Sequence, residues 1–254
     1  MAVAVVSGSA SGIGKCVANR LRDQGFDIVG IDLKGAEVEA DLSTAAGRQS
    51  AVDAALEKTG GSIDRLVLAA GLGGHLDDGA LVAKVNYYGA VELLDGFQEA
   101  LGKSGNARVA VISSNSAQMG TDPANPIANA LLDGSEEEAM ELIGQAPGAA
   151  TYGLSKHCVA RAVRRRAAEW GAKGIQINAI APGMTETPLF RGAADHPQIG
   201  QAVSAIPIPQ GRVATADEMA GVIEFMLSDG AAYMQGSVIY VDGGTDAQLR
   251  PDAF

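Results

Sequence analysis

Short apolar runs alternate with helical stripes along the whole chain, and this alternation limits the possible folds more than any other feature. Seven segments read as strands: "AVAVVS" (2–7), "FDIVGID" (26–32), "EVEADL" (37–42), "IDRLVLAAG" (63–71), "ARVAVISS" (107–114), "GIQINAI" (174–180) and "GSVIYVDGG" (236–244). The first is a continuous apolar run ending at glycines, the pattern of a strand buried on both faces of a parallel sheet. Ile13, Val17 and Leu21 recur at four-residue spacing and mark a helix over 12–24 that stops at Gly25. Ala51, Ala55 and Leu56 mark another, and further helices are expected at about 77–101, 150–170 and 215–227, where Thr215 and Glu218 have capping-box spacing. Strand–helix succession with no linker and no internal repeat predicts one α/β domain over residues 1–254. Its architecture is a doubly wound parallel seven-stranded sheet with right-handed crossovers and helices on both faces.

The first strand runs straight into "SGSASGIG" (7–14), so Gly8, Ser9, Ala10, Ser11, Gly12, Ile13 and Gly14 form the first strand-to-helix turn. Phosphates need bare backbone there: glycine lets the chain turn and its N–H groups approach the oxygens, and the helix that follows points its positive end at them. A tight turn without a ligand is the plain alternative. Asp32 ends the second strand about 20 residues further on, where a carboxylate accepts hydrogen bonds from adenosine ribose hydroxyls. It would repel a 2′-phosphate, and the nearest base is Lys34 alone, so the expected cofactor is NAD rather than NADP. Asp41 and Leu42, at the end of the third strand, are placed to hold the adenine, although Asp41 also fits the N-cap region before "STAAG".

Charge and cysteine usage exclude several classes. A net charge of −11 opposes a general nucleic-acid or anionic-membrane surface. "MAVAVVSGSA" lacks a charged region before an apolar core, and no apolar run is long enough for a bilayer. Cys16 and Cys158 show no paired spacing and fit a cytoplasmic protein, and His75, His157 and His196 have no metal-ligand spacing.

Residues 151–156 read "TYGLSK", which puts Tyr152 and Lys156 on one helix face, one turn apart. On spacing alone such a pair is usually a half-buried ring beside a solvated lysine. The wider set decides. Gly8-x3-Gly12-x-Gly14, Asn86, Ser114, Tyr152-x3-Lys156 and Pro182-Gly183 together resemble the short-chain dehydrogenase/reductases over essentially the whole chain. More narrowly, "IVGIDLKGAEVEADLSTAAGR", "LVLAAGLG", "VNYYGA", "INAIAPGMTETPL" and "RPDAF" resemble the family's bacterial 3α-hydroxysteroid dehydrogenase/carbonyl reductases. The resemblance implies a Rossmann-like fold and NAD-dependent interconversion of 3α-hydroxysteroids and 3-oxosteroids, with reduction of other carbonyls. It implies Tyr152 as general base and acid, Lys156 favouring the phenolate and binding the nicotinamide ribose, Ser114 holding the substrate oxygen, and Asn86 linking Lys156 to water. Gly71, Gly183 and Thr185 would border the nicotinamide, and Met184 the substrate. Asn86 also fits a local turn or a bend in its helix. Ser113 is expected to point away from the site, and Arg161, Arg164, Arg165 and Arg166 to form a solvated face. Two departures stand out: Ser7 replaces a threonine, and Leu68-Ala69-Ala70-Gly71 replaces Asn-Asn-Ala-Gly, removing side chains that usually brace the sheet.

Two segments are expected to be additions to this scaffold. At about 116–147, Asn125-Pro126 opens a helix with Ile127, Ala130 and Leu131 on one face, and Ser135 with Glu138 opens a second with Ala139, Leu142 and Ile143. Packed on the 77–101 and 150–170 helices, this insertion would obstruct an interface common among the relatives, which implies a homodimer joined through the 215–227 helix and the last strand. At about 184–210, Met184, Leu189, Phe190, Ile199, Val203 and Ile206 suit an apolar lid over a small apolar substrate. The other readings are an acyl or quinone reductase of the same family and a non-catalytic NAD-binding sensor.

Overall fold

Strand β1 (Val3–Ser7) shows why both faces of the sheet are covered: Val5 joins one core, while Ala4 and Val6 join the other. Alternate side chains leave a strand on opposite faces, so a run that is apolar throughout needs a partner layer on each side. The computed structural model describes residues 2–118, 122 and 124–253. Residues 119–121 and 123 of the segment expected to be inserted, the initial Met1 and the Phe254 of "RPDAF" lie outside the described residues.

Strands β2 (Asp27–Asp32), β3 (Val38–Glu39), β4 (Arg65–Leu68), β5 (Ala107–Ile112), β6 (Ile175–Pro182) and, later in the chain, β9 (Val238–Val241) complete a seven-stranded sheet in the order β3-β2-β1-β4-β5-β6-β9. All of its pairs are parallel. The chain winds outward from β1 to β3 and returns to β4 on the other side of β1. That reversal opens a crevice beyond the strand ends, the usual ligand site of such sheets. Helices α2 (Ala45–Thr59), α4 (Gly89–Ser104) and α7 (Gly148–Ala172) cover one face, burying Val52, Phe97, Val159 and Trp170. Helices α1 (Gly12–Asp23) and α10 (Ala216–Met226) cover the other with Val17, Leu21, Met219 and Ile223. The capping box of Thr215 and Glu218 is formed at the start of α10.

The expected 77–101 helix is two helices. Asp78 caps α3 (Gly79–Ala83) by accepting from Leu81 N at 2.8 Å, and a π-helical turn over Lys84–Tyr88 separates it from α4. The wider turn carries Asn86. The third strand is also shorter than expected, because only Val38 and Glu39 pair with Ile31 and Asp32.

Helices α5 (Pro126–Asp133) and α6 (Glu136–Ile143) occupy the segment after β5, capped by Asn125 and Ser135. Ala128, Ala130 and Leu131 are buried, as are Ala139 and Ile143. Leu142, expected on the buried stripe, is 45% exposed. Fully buried Arg48 ties this segment to the rest: it bonds Glu92 at 2.7 Å, pairs with Glu136 and donates to the Leu42 carbonyl at 3.3 Å. Helices α8 (Pro188–Ala194) and α9 (Ile199–Ser204) lie beyond β6, held at the base by a short ladder of β7 (Thr185–Glu186) with β8 (Ala214–Thr215). A short α11 (Thr245–Leu249) follows β9. Among the described residues no helix is long and apolar enough to cross a membrane.

Candidate active site

A cavity of about 690 Å³ opens at the crevice, walled by the ends of β1, β2 and β4 at one end and by α7, α8 and α9 at the other. Its floor starts with the glycine turn. Gly8 has φ +70°, and a Cβ there would lie 2.7 Å from the backbone of Ala69 and Ala70. A Cβ on Gly14 would overlap the Gly8 carbonyl, so α1 passes directly over the turn. Ser11 stands at the N-cap of α1 without a side-chain hydrogen bond to it, leaving the first turn to a ligand. This cradle fits a pyrophosphate.

Gly8, Ser11, Gly12, Ile13 and Gly14 line the cavity, but Ser9 and Ala10 lie behind its wall. The Ser9 hydroxyl faces Gly30, and Ala10 N donates to Asp32 Oδ2 at 3.0 Å. Asp32 also accepts from Leu33 N at 2.7 Å, which fixes its carboxylate at the end of β2. Asp41 and Leu42 line the same end. The N-cap of α2 is Thr44, which accepts from Gly47 N at 3.0 Å, so Asp41 is left to bond Ser43 N at 2.9 Å. Its carboxyl is held below the usual range by the hydroxyl and amide of Ser43.

Ser7 braces β1 against the end of β4. Its hydroxyl accepts from Ala69 N at 3.2 Å and Ala70 N at 3.3 Å.

The chemically distinctive group lies where β5 meets α7. Ser114, just after β5, accepts from Ser116 N at 3.1 Å and from the Ser116 hydroxyl at 2.9 Å. Tyr152 and Lys156 project from α7 into the same cavity. Burial raises the Tyr152 pKa, and the Ser114 hydroxyl beside it acts in the opposite direction. Lys156 is 4% exposed, donates to the Ile112 carbonyl at 3.0 Å, and is pushed down to about 8 by burial. Ser113, expected to point away, also lines the cavity, but its hydroxyl is engaged by the α7 backbone, donating to the Lys156 carbonyl at 2.8 Å.

Asn86 does not line the cavity. Its side chain accepts from Leu72 N at 2.7 Å and donates to the Leu72 carbonyl at 3.0 Å and to Ser155 at 3.3 Å. Gly71 threads past it: a Cβ there would lie 3.2 Å from Asn86 Oδ1 and 3.3 Å from Lys156 Nζ. Gly183 N bonds the Val241 carbonyl at 3.0 Å, and buried Thr185 donates to the Gly183 carbonyl at 3.0 Å. Met184, Leu189, Phe190, Ile199, Val203 and Ile206 all line the apolar end. So do Leu72 and Val85, which lie inside the quoted "LVLAAGLG" and "VNYYGA" but were given no role there, and His75 and Leu81, which no motif or periodicity singled out. The arginines of α7 are at the surface, with Arg165 paired to Asp133 at 2.7 Å and Arg166 to Asp95 at 2.7 Å.

Comparison with known proteins agrees with this geometry. Residues 2–125 match the family described as short chain dehydrogenase, and 139–246 the one described as enoyl-(acyl carrier protein) reductase. The 3-alpha-hydroxysteroid dehydrogenase/carbonyl reductase of Comamonas testosteroni is 44% identical, with 100% of each chain covered. D-threitol dehydrogenase of Mycolicibacterium smegmatis is 29% identical over 95% of this chain and 92% of its own. The crystal structure of the 3-alpha-hydroxysteroid dehydrogenase from Pseudomonas sp. B-0831 complexed with NADH has a TM-score of 0.96 at 38% identity, covering 100% of both chains. That of levodione reductase has a TM-score of 0.78 at 26% identity, covering 97% of this chain and 98% of its own. The chain belongs to the short-chain dehydrogenase/reductase family of oxidoreductases.

Proposed function

We propose that the chain interconverts 3α-hydroxysteroids and 3-oxosteroids with NAD(H), and reduces other apolar carbonyl compounds at the same site. The observation that carries this reading is one cavity that joins the glycine cradle and Asp32 to Ser114, Tyr152 and Lys156 beneath an apolar roof. The activities of the Comamonas and Pseudomonas relatives support the steroid. When bound, NAD⁺ would accept a hydride from the alcohol carbon and NADH would return one to the carbonyl.

The chain's own residues do the rest. Asp32 would receive the adenosine ribose hydroxyls and repel a 2′-phosphate, with Asp41 and Leu42 at the adenine. Gly183 and Thr185 would border the nicotinamide. Ser114 already accepts two hydrogen bonds from Ser116, so its single proton is left for the phenol or the substrate oxygen. Tyr152 would take the alcohol proton during oxidation and give it back during reduction. Burial alone opposes the phenolate, and the Ser114 hydroxyl and the Lys156 ammonium would offset it. With its pKa at about 8, Lys156 is mostly ammonium at neutral pH. Asn86 would act as a positioning residue, fixing Leu72 and so the passage of Gly71 beside Lys156.

Turnover of a 3α-hydroxysteroid, followed by NADH absorbance, tests the reading. Formation of NADH with NAD⁺ and little reaction with NADP⁺ is expected, and Asp32→Ala should narrow that preference by about 10- to 100-fold, the value of a charge-assisted hydrogen bond. Equal efficiency with both cofactors would overturn the NAD assignment. Turnover of simple ketones without steroids would instead favour the acyl or quinone reductase reading.

The proposed assembly is a homodimer, and the proposed location is cytoplasmic. Helix α5 lies against α7, with Cys158 facing the Ala128 carbonyl and Arg165 paired to Asp133. The two family matches leave out residues 126–138, which supports reading α5 and the start of α6 as inserted. On α10, Phe225 is 51% exposed and available for a partner. Light scattering should give a dimer for the parent and a monomer for Phe225→Asp.

A further inference from the structure

An imidazole stands among the apolar side chains at the roofed end of the cavity. It belongs to His75, in the loop between β4 and α3, and its neighbours along the wall include Leu72, Leu81, Leu189 and Phe190. Among the described residues, its Nδ1 is buried with no hydrogen-bond partner. Native structures rarely leave such an atom unmatched, and where they do, the reason is often a ligand or a functional role. The ring is held in place by two glycines. A Cβ on Gly73 would lie 2.5 Å from Nδ1, and a Cβ on Gly192 would lie 2.7 Å from Nε2. Neither glycine has a positive φ, so what this site uses is their small size rather than their backbone freedom. One glycine belongs to the loop and the other to α8, so the ring spans the gap between floor and roof. The same loop touches the reacting group: a Cβ on Gly74 would lie 3.2 Å from Tyr152 Cβ.

We infer that His75 is a specificity-determining residue that hydrogen-bonds a second oxygen function, a hydroxyl or ketone, on an otherwise apolar substrate. The inference rests on the carbonyl-reductase reading above. A purely hydrophobic pocket distinguishes poorly between a compound and its hydroxylated analogue. A pocket with a buried, unpaired imidazole nitrogen favours the compound that satisfies it, because the analogue leaves that nitrogen desolvated and unmatched.

The test uses a series of 3-oxosteroids that carry one hydroxyl at different ring positions, together with the parent compound without it. For the parent enzyme, kcat/KM should favour one hydroxylated member by about tenfold, the upper range for a neutral hydrogen bond. His75→Leu should abolish that advantage and change the unhydroxylated compound by less than about twofold, while His75→Gln, which keeps hydrogen-bonding atoms, should restore part of it. Gly192→Ala, which keeps the imidazole but displaces it, should also reduce the advantage. NADH affinity should stay constant throughout. An equal loss on every member with His75→Leu would make His75 packing alone, and no loss on any member would remove it from recognition; either overturns the inference. If the parent enzyme reduces none of the series, the steroid reading fails separately. The dissociation constants of the same compounds from the enzyme–NADH complex, compared between parent and His75→Leu, then decide the role of His75.

Discussion

The floor and the roof of the cavity are built in different ways. The floor is anchored in the sheet: Gly8 N bonds the Ile31 carbonyl at 2.8 Å, Ser7 ties β1 to β4, and Lys156 bonds the end of β5. Among the described residues the roof is tied to the rest at its ends, by the β7–β8 ladder, by Gln210 N, which donates to the Gly243 carbonyl at 3.1 Å, and by Thr245, which donates to the Pro207 carbonyl at 2.7 Å. Between those ties α8 buries no side chain and α9 buries only Gly200. The roof's apolar residues therefore face the cavity rather than a core. The chain spends its packing on the group that does chemistry and leaves the group that meets the substrate to be completed by the substrate. Floor substitutions should therefore affect turnover or cofactor binding, whereas roof substitutions should affect KM.

The largest effect belongs to the floor. Tyr152→Phe removes the group proposed to move the substrate proton, and kcat should fall by about 10²–10⁴ with the fold and NADH affinity unchanged. Stopped-flow measurement of the NADH absorbance change isolates the step. Near-parental turnover would make Tyr152 only a ring of the wall and dissolve the contrast.

Gly8→Ala comes next. The new methyl would meet the Ala69–Ala70 backbone in a residue held at φ +70°, and neither neighbour can move without disturbing β4. Backbone strain of this kind costs about 1–3 kcal/mol, so a loss of stability of that size and a weaker NADH complex are expected together. Urea unfolding and NADH fluorescence titration measure the two.

The sequence disclosed the floor far better than the roof's details, for physical reasons. Strand runs, the glycine turn and the caps at Asn125, Ser135 and Thr215 depend on local period and turn chemistry; the caps are where they were expected, and every strand of the sheet overlaps its expected run. The π-helical turn was not legible, because it depends on Asn86 reaching Leu72, 14 residues away in the chain. Leu142 was placed on the wrong side because an eight-residue helix leaves its apolar stripe ambiguous, and the packed face runs through Ala139 and Ile143. His75 gave no signal at all: a single histidine in a loop has neither period nor motif, and only the fold brings it between Gly73 and Gly192.

The roof gives a smaller and opposite signature. Leu189→Ala removes a side chain that lines the cavity from a helix that buries none, so unfolding free energy should change by less than about 0.5 kcal/mol. KM for an apolar ketone should rise several-fold, because a few methylene groups of contact are lost at about 0.8 kcal/mol each if fully buried. A stability loss of the size expected for Gly8→Ala would show that the roof is packed as firmly as the floor.

A graded effect of pH sharpens the contrast inside the floor itself. Burial lowers Lys156 from an ordinary 10.5 to about 8, so in the free enzyme its ammonium is lost as pH rises through about 8. If the ammonium binds the nicotinamide ribose, NADH binding above that pH must be accompanied by uptake of a proton, and affinity should fall as pH rises. Below about pH 8 the group is already charged and affinity should be flat. From pH 7 to 9 the expected weakening is at most about tenfold, the value of about 1.4 kcal/mol in a hydrogen bond to a charged group. Lys156→Arg keeps its charge across the range and should abolish the slope, whatever it does to the absolute affinity. Fluorescence titrations of NADH at several pH values compare the two proteins. The same slope in both would place the titrating group elsewhere in the cradle, and affinity that rose with pH would contradict a role for the ammonium in holding the cofactor.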